Sequence, residues 1–128
     1  MMPRPRSITF VAWVFIAAGT AGLLNDLWPL LTSDATQQLA KLKADGLWDL
    51  GPAWTIRILG IVGGVGLLRL HNWARWLLVA WMLFHIGISV LHSLQEVLVH
   101  AAIFIPLAYL MFRRSSEPYF HAAKAPST

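Results

Sequence analysis

Cysteine is absent from this chain. Its absence excludes disulfides, thiolate metal sites and cysteine nucleophiles. Charge is also scarce: 12% of the residues are Asp, Glu, Lys or Arg, against 57% hydrophobic residues and a mean hydropathy of +0.59. Soluble globular domains carry about twice that charged fraction, so the composition is that of a membrane protein. No nucleophile elbow, phosphate-binding loop or pair of catalytic carboxylates is present, which argues against a self-contained enzyme. Ten basic residues against six acidic ones leave a net charge of +4. The basic residues form no face or arm interleaved with aromatics, so nucleic acid is not the expected partner.

What is present is long apolar sequence. A helical span needs about 20 mainly apolar residues. Four segments meet or approach that length, 8–31, 54–70, 73–92 and 94–112, with a loop at 32–53 and a tail at 113–128. The charged start MMPRPR and the apolar run after it look like a signal peptide. The run continues to about Leu31 without a small-residue cleavage site, so it reads as a retained first span. The expected fold is all-α: a single domain, 1–128, forming an antiparallel bundle of four transmembrane helices with a short amphipathic surface helix. That surface helix is read from Asp34 and Gln37 as a capped start, Gly46 as an end, and Leu39, Leu42 and Trp48 as the apolar face.

The last two spans run together without glycine or proline between them. Ser93-Leu94-Gln95-Glu96 has the capping-box pattern, in which the serine oxygen takes the N–H of Glu96 and the Glu96 side chain reaches back to that of Ser93. A tight hairpin at Ser93 follows. Four spans place both termini on one side with Arg4, Arg6, Arg69, Arg75, Arg113, Arg114 and Lys124, leaving Lys41, Lys43 and Arg57 opposite. The positive-inside rule then makes the termini cytoplasmic and the 32–53 loop extracytoplasmic. Trp13, Trp28, Trp48, Trp54, Trp73 and Trp76 fall near span ends, as an interfacial belt would. Gly60, Gly63, Gly64 and Gly66 let another backbone approach the second span, inside the bundle or between copies, or line a cofactor groove. Pro106 removes the partner of the Ala102 carbonyl and is expected to kink the fourth span.

With this topology Asn25, Asp26, Arg57, His85, Ser89, His92, Glu96 and His100 gather toward the outer face. His85 lies eight residues before Ser93 and His100 seven after it, so both sit about 11 Å below the hairpin tip, level with each other. Ionisable groups in a membrane are costly, and they suggest a site facing the bundle interior or water. Arg57 can pair with Asp26, Asp49 or Glu96, or snorkel outward. His85, His92, Glu96 and His100 offer imidazole and carboxylate ligands suited to zinc, iron or copper, though no HExxH or paired ExxH pattern appears.

The spacing His85, six residues, His92, three residues, Glu96 resembles the cytochrome b membrane anchor subunit of succinate dehydrogenase, where two such histidines precede an Asp. The resemblance covers about fourteen residues and implies haem b with His85 as axial ligand and Glu96 in place of the Asp near the quinone. The arginine that family carries before its second His is Leu91 here, Ser89 is displaced from the place of its small residue, and it has three spans. GLLRLHNWARWLLVAW with the hairpin after it resembles small four-span membrane proteins of unknown function in bacteria, which implies the bacterial plasma (inner) membrane.

The expected function is therefore that of a non-enzymatic integral membrane protein, a homo-oligomer or the accessory subunit of a membrane assembly. Its partners are the lipid bilayer and either its own copies or another membrane protein. The outer His/Glu/Arg cluster would bind or relay a cation or proton, or dock a partner. The competing expectations are a haem- or metal-binding anchor in electron transfer and a small proton-coupled transporter.

Overall fold

The computed structural model describes residues 5–32, 34–37, 40, 43 and 47–122, without the side chains of residues 30, 47–50 and 122. Among the described residues all regular structure is helical: α1 (Arg6–Thr32), α2 (Leu47–Leu68), α3 (Asn72–Val90), α4 (Leu94–Phe112) and α5 (Glu117–Ala122). Four stretches, Arg6–Pro29, Gly51–Leu68, Asn72–Val90 and Leu94–Phe112, are long and apolar enough to cross a membrane. The surface-helix reading of Leu39, Leu42, Gly46 and the Trp48 side chain lies outside the described residues.

Both tight turns are fixed by backbone hydrogen bonds. At the end of α2, His71 N–H donates to Gly66 O at 3.0 Å and Leu70 N–H to Leu67 O at 3.0 Å. That six-to-one and five-to-two pairing is a Schellman motif, which requires a left-handed residue next to the helix end. Glycine usually fills that position, but here it is Leu70, with φ of 58°. Its side chain packs against the core, a contact that glycine would lack. At the end of α3, the N–H groups of Leu91 and His92 donate to Ile88 O and Ser89 O, three residues back, which tightens the last turn and stops the helix at Val90. Ser93 then takes an extended backbone and its Oγ accepts from Glu96 N–H at 3.2 Å, starting α4. Only this half of the expected capping box forms, because Ser93 N–H is already bonded to Ser89 O at 3.1 Å.

The long helices pack in chain order, α1 on α2, α2 on α3 and α3 on α4, and α1 also meets α4. Glycine sets the closeness of these contacts. A Cβ at Gly64 would stand 2.8 Å from the backbone oxygen of Ala12 and 2.7 Å from Ile16 on α1, whereas one at Gly63 would enter Leu78 of α3. Gly19 of α1 faces the Arg57 carbonyl of α2 at 2.8 Å in the same sense. Gly60, Gly63, Gly64 and Gly66 thus have their close neighbours within this chain. Gly64→Ala is expected to lower stability by about 1–3 kcal/mol, since a backbone neighbour cannot swing aside. At Gly60 the nearest atom, on Trp81, is at an ordinary 3.5 Å, so Gly60→Ala should unfold near the parent midpoint. Thermal unfolding in detergent compares the two; equal midpoints would mean that the α1–α2 contact has slack.

Burial is uneven along the helices. The core of Ile8, Val11, Ala12, Phe15, Leu67, Ala74, Leu78, Met82, Leu107, Met111 and Phe120 occupies the half that holds the N-terminus of α1 and the C-terminus of α4. Phe120 reaches it because the fully buried Ser116 binds Leu110 O at 3.1 Å through its hydroxyl and turns the chain into α5. In the opposite half, toward the α3–α4 turn, Ser89 is the buried residue of note, and the helices part around open recesses. The dense half is mainly apolar, with Arg75 and Ser116 buried in it, and the open half carries the polar cluster read from sequence.

Candidate functional site

In the open half, α1 and α2 are joined by an ion pair. Arg57 Nη2 donates to Asp26 Oδ1 at 2.9 Å. Its Nε lies 2.7 Å from Oδ2, an ion-pair contact without the alignment of a hydrogen bond. Among the described side chains Arg57 meets Asp26, while Glu96 stands apart; the Asp49 side chain lies outside those described. Gly22 makes room for the pair, since a Cβ there would collide with Arg57 Nη1. Both residues lie within stretches apolar enough to cross a membrane.

A second group spans α3 and α4. Ser89 Oγ–H donates to His85 O at 2.8 Å, which leaves the same oxygen free to accept from His100 Nδ1 at 2.9 Å. His100 Nδ1 also lies 2.7 Å from Glu96 O, and His85 Nδ1 lies 3.1 Å from Trp81 O. A carbonyl only accepts, so in the neutral rings the proton sits on Nδ1 and Nε2 keeps its lone pair. The two rings stand 6.1 Å apart between centroids, and His85 lies against Trp81 at 4.0 Å.

The two groups share a recess of about 340 Å³ lined by Ala18, Gly19, Ala53, Ile56, Arg57, Trp81 and His85. Trp81 closes one wall by donating its indole N–H to Ile56 O at 2.5 Å. The sequence reading missed Trp81. Its signal was position: it lies in the interior of α3, where a belt tryptophan has no reason to be. Gly19 and Gly22 were missed as well, although their i, i+3 spacing on α1 is visible in the sequence.

The other residues read as part of one cluster stand apart. Asn25 is exposed, and His92 is exposed with Nδ1 turned to Ile88 O at 3.0 Å. Glu96 is exposed and contributes its backbone to the Ser93 cap; with His100 it lines a separate recess of about 320 Å³. Among the described residues no three His, Asp or Glu side chains converge to hold a metal ion, so the ligand set His85, His92, Glu96 and His100 is not assembled. His92 and Glu96 are held off by the hairpin itself, which projects them at its exposed tip.

Comparison of the chain with protein-family models, curated proteins and solved structures finds no significant match.

Proposed function

We propose that this chain is a non-enzymatic, multi-pass membrane protein whose four long helices form an antiparallel bundle. His85 and His100, facing each other across α3 and α4, take up and relay protons in the outer half of that bundle. The observation that carries the reading is the pair of rings, 6.1 Å apart between centroids among otherwise apolar helices, with Ser89 Oγ anchored on the His85 backbone carbonyl and holding the His100 ring at Nδ1. Histidine is the side chain whose charge ordinarily changes between pH 5 and 8. Each ring here keeps an Nε2 lone pair for an incoming proton, and the recess beside His85 gives water a way in. Arg57, paired with Asp26, also faces that recess. An imidazole relay fits this donor set better than a metal ion, for which only two nitrogen ligands are near each other.

The termini lie in the cytoplasm of a bacterial cell in this reading, and the protein works as a homo-oligomer or accessory subunit. Gly60, Gly63, Gly64 and Gly66 of α2 have their close neighbours within the chain, which leaves α4 as the face for a second subunit. Only 11% of its span is buried, with Leu94, Leu98, Ile103 and Ile105 uncovered.

The test is proton flux into proteoliposomes under an imposed pH gradient, read by a dye in the lumen. His85→Ala and His100→Ala are each expected to cut the flux at least tenfold, and His92→Ala to leave it unchanged. Parent-level flux in both of the first two variants would sink the relay.

A further inference from the structure

On the opposite half of the molecule, the α2–α3 turn borders a groove of about 340 Å³ that the polar site does not use. Its walls are of two kinds. Ile61, Val62 and Val65 line one end, and Arg69, His71 and Trp73 line the other. Val62 and Val65 are 43% and 38% exposed, so they offer apolar surface that no other part of the described chain covers. Gly66 keeps the groove narrow, because its missing side chain lets Trp73 lie against α2. Arg69 is the first residue beyond α2 and His71 the last before α3, and the left-handed turn at Leu70 between them puts both on the groove.

Arg69 differs from Arg57, Arg75 and Arg113 in what surrounds it. Arg57 is paired with Asp26, Arg75 is held by Asn72 and Met111 O, and Arg113 donates to Ser7 at 2.9 Å. Arg69 is exposed and has no side-chain hydrogen bond or ion pair among the described residues. A lone cation at the polar end of an apolar groove, beside a tryptophan and at the end of a membrane-length helix, is complementary to one kind of molecule. We infer that this groove holds an anionic phospholipid: its phosphate meets Arg69 and His71, and an acyl chain lies along Ile61, Val62 and Val65. A basic residue near an anionic membrane surface contributes attraction, and the aliphatic wall supplies the apolar contact that a free phosphate would not use. The inference rests on the membrane reading above but not on the proton relay.

The experiment is native mass spectrometry and thermal unfolding of the detergent-purified full chain, titrated with phosphatidylglycerol or phosphatidylcholine of identical acyl chains. Phosphatidylglycerol is expected to bind at least fivefold more tightly and to raise the unfolding midpoint. Arg69→Gln should bring its binding down to the phosphatidylcholine level, a loss of about fivefold, or about 1 kcal/mol. Arg114→Gln, which removes an exposed charge outside the groove, should leave the preference intact. Val62→Phe, which fills the groove and keeps the charge, should weaken both lipids. Equal binding of the two lipids by the parent, or an unchanged preference in Arg69→Gln, would overturn the site; so would an equal loss in Arg114→Gln, which would make the attraction a property of the whole surface. Stabilisation by millimolar inorganic phosphate equal to that by phosphatidylglycerol would overturn the lipid as occupant. Release of the chain from membranes by carbonate washing would overturn the membrane reading together with the lipid, whereas retention with equal lipid responses overturns the lipid alone.

Discussion

Asp26→Ala is expected to cost about 3–5 kcal/mol, and the double replacement Asp26→Leu with Arg57→Leu to recover most of that loss. The asymmetry follows from the surroundings of the pair. Arg57 and Asp26 lie within apolar helical stretches with side chains 31% and 18% exposed, joined by one hydrogen bond of 2.9 Å and an ion-pair contact of 2.7 Å. Alanine at 26 leaves a guanidinium without its acceptor, and removing one partner of such a pair is far worse than removing both. Two leucines lose the attraction but also the desolvation that opposed it. Asp26→Asn keeps one oxygen acceptor and should fall between the parent and the alanine variant. The readout is denaturant or thermal unfolding in detergent, analysed as a double-mutant cycle. Additive losses would mean that the two charges do not stabilise each other.

This pair also shows how far the sequence could be read. Asp26 was one of three carboxylates open to Arg57, and nothing along the chain ranks them, since the choice depends on which helices pack side by side. In space, Gly22 leaves room for the guanidinium beside Asp26. The four apolar helices themselves were legible because length and hydropathy are local properties, and their ends fall within a few residues of the expected ones. The largest shift is at α2, which begins before residue 54 and runs through Pro52 in its second turn. Ser93 was legible as the start of α4 for the same reason: a side chain capping a backbone N–H three residues on is a local event. The return contact from Glu96 failed because the preceding turn had already taken Ser93 N–H, which no pattern within Ser93–Glu96 encodes.

Among the polar residues, the residue counts on either side of Ser93 put His85 and His100 level, and the same counts could not say that Ser89 would hold the His100 ring while bonded to the His85 backbone carbonyl. His92 and Glu96 were grouped with these two on sequence proximity. A hairpin tip separates what sequence distance joins: its residues project beyond the packed helices rather than between them. Leu70 had no signal at all, because the expected marker of a left-handed position is glycine and the chain carries leucine there.

Arg75 gives the other large expected effect. In the sequence it counts as one of several topology-setting charges, and Glu117 to Ala122 as part of a plain tail. In the folded chain Arg75 is 4% exposed and lies under that tail, with its guanidinium 4.2 Å from the ring centre of Phe120 and 4.9 Å from that of Phe112. Nε donates to Asn72 Oδ1 at 3.0 Å, Nη2 donates to the same oxygen, and Nη1 reaches Met111 O at 3.4 Å, near the C-terminus of α4. No carboxylate lies within 4 Å of it among the described residues; two aromatic faces and carbonyl oxygens meet the guanidinium directly, and Glu117 of α5 attracts it from farther off. Arg75→Ala removes the side chain from between those rings and leaves a cavity, a change expected to cost about 2–5 kcal/mol. Arg75→Met should cost considerably less, because it refills most of the volume and leaves no buried cation to desolvate. The two variants separate packing from charge, and hydrogen exchange of the α5 amides reports on the contact directly. Arg75→Ala should speed exchange in α5 while leaving the α3–α4 turn protected, and methionine should restore much of the protection. If alanine leaves α5 exchange unchanged, then Ser116 and Phe120 hold the helix without help from Arg75. If methionine exchanges as fast as alanine, the charge itself is what binds the two phenylalanines, and α5 is held by cation–π attraction rather than by volume.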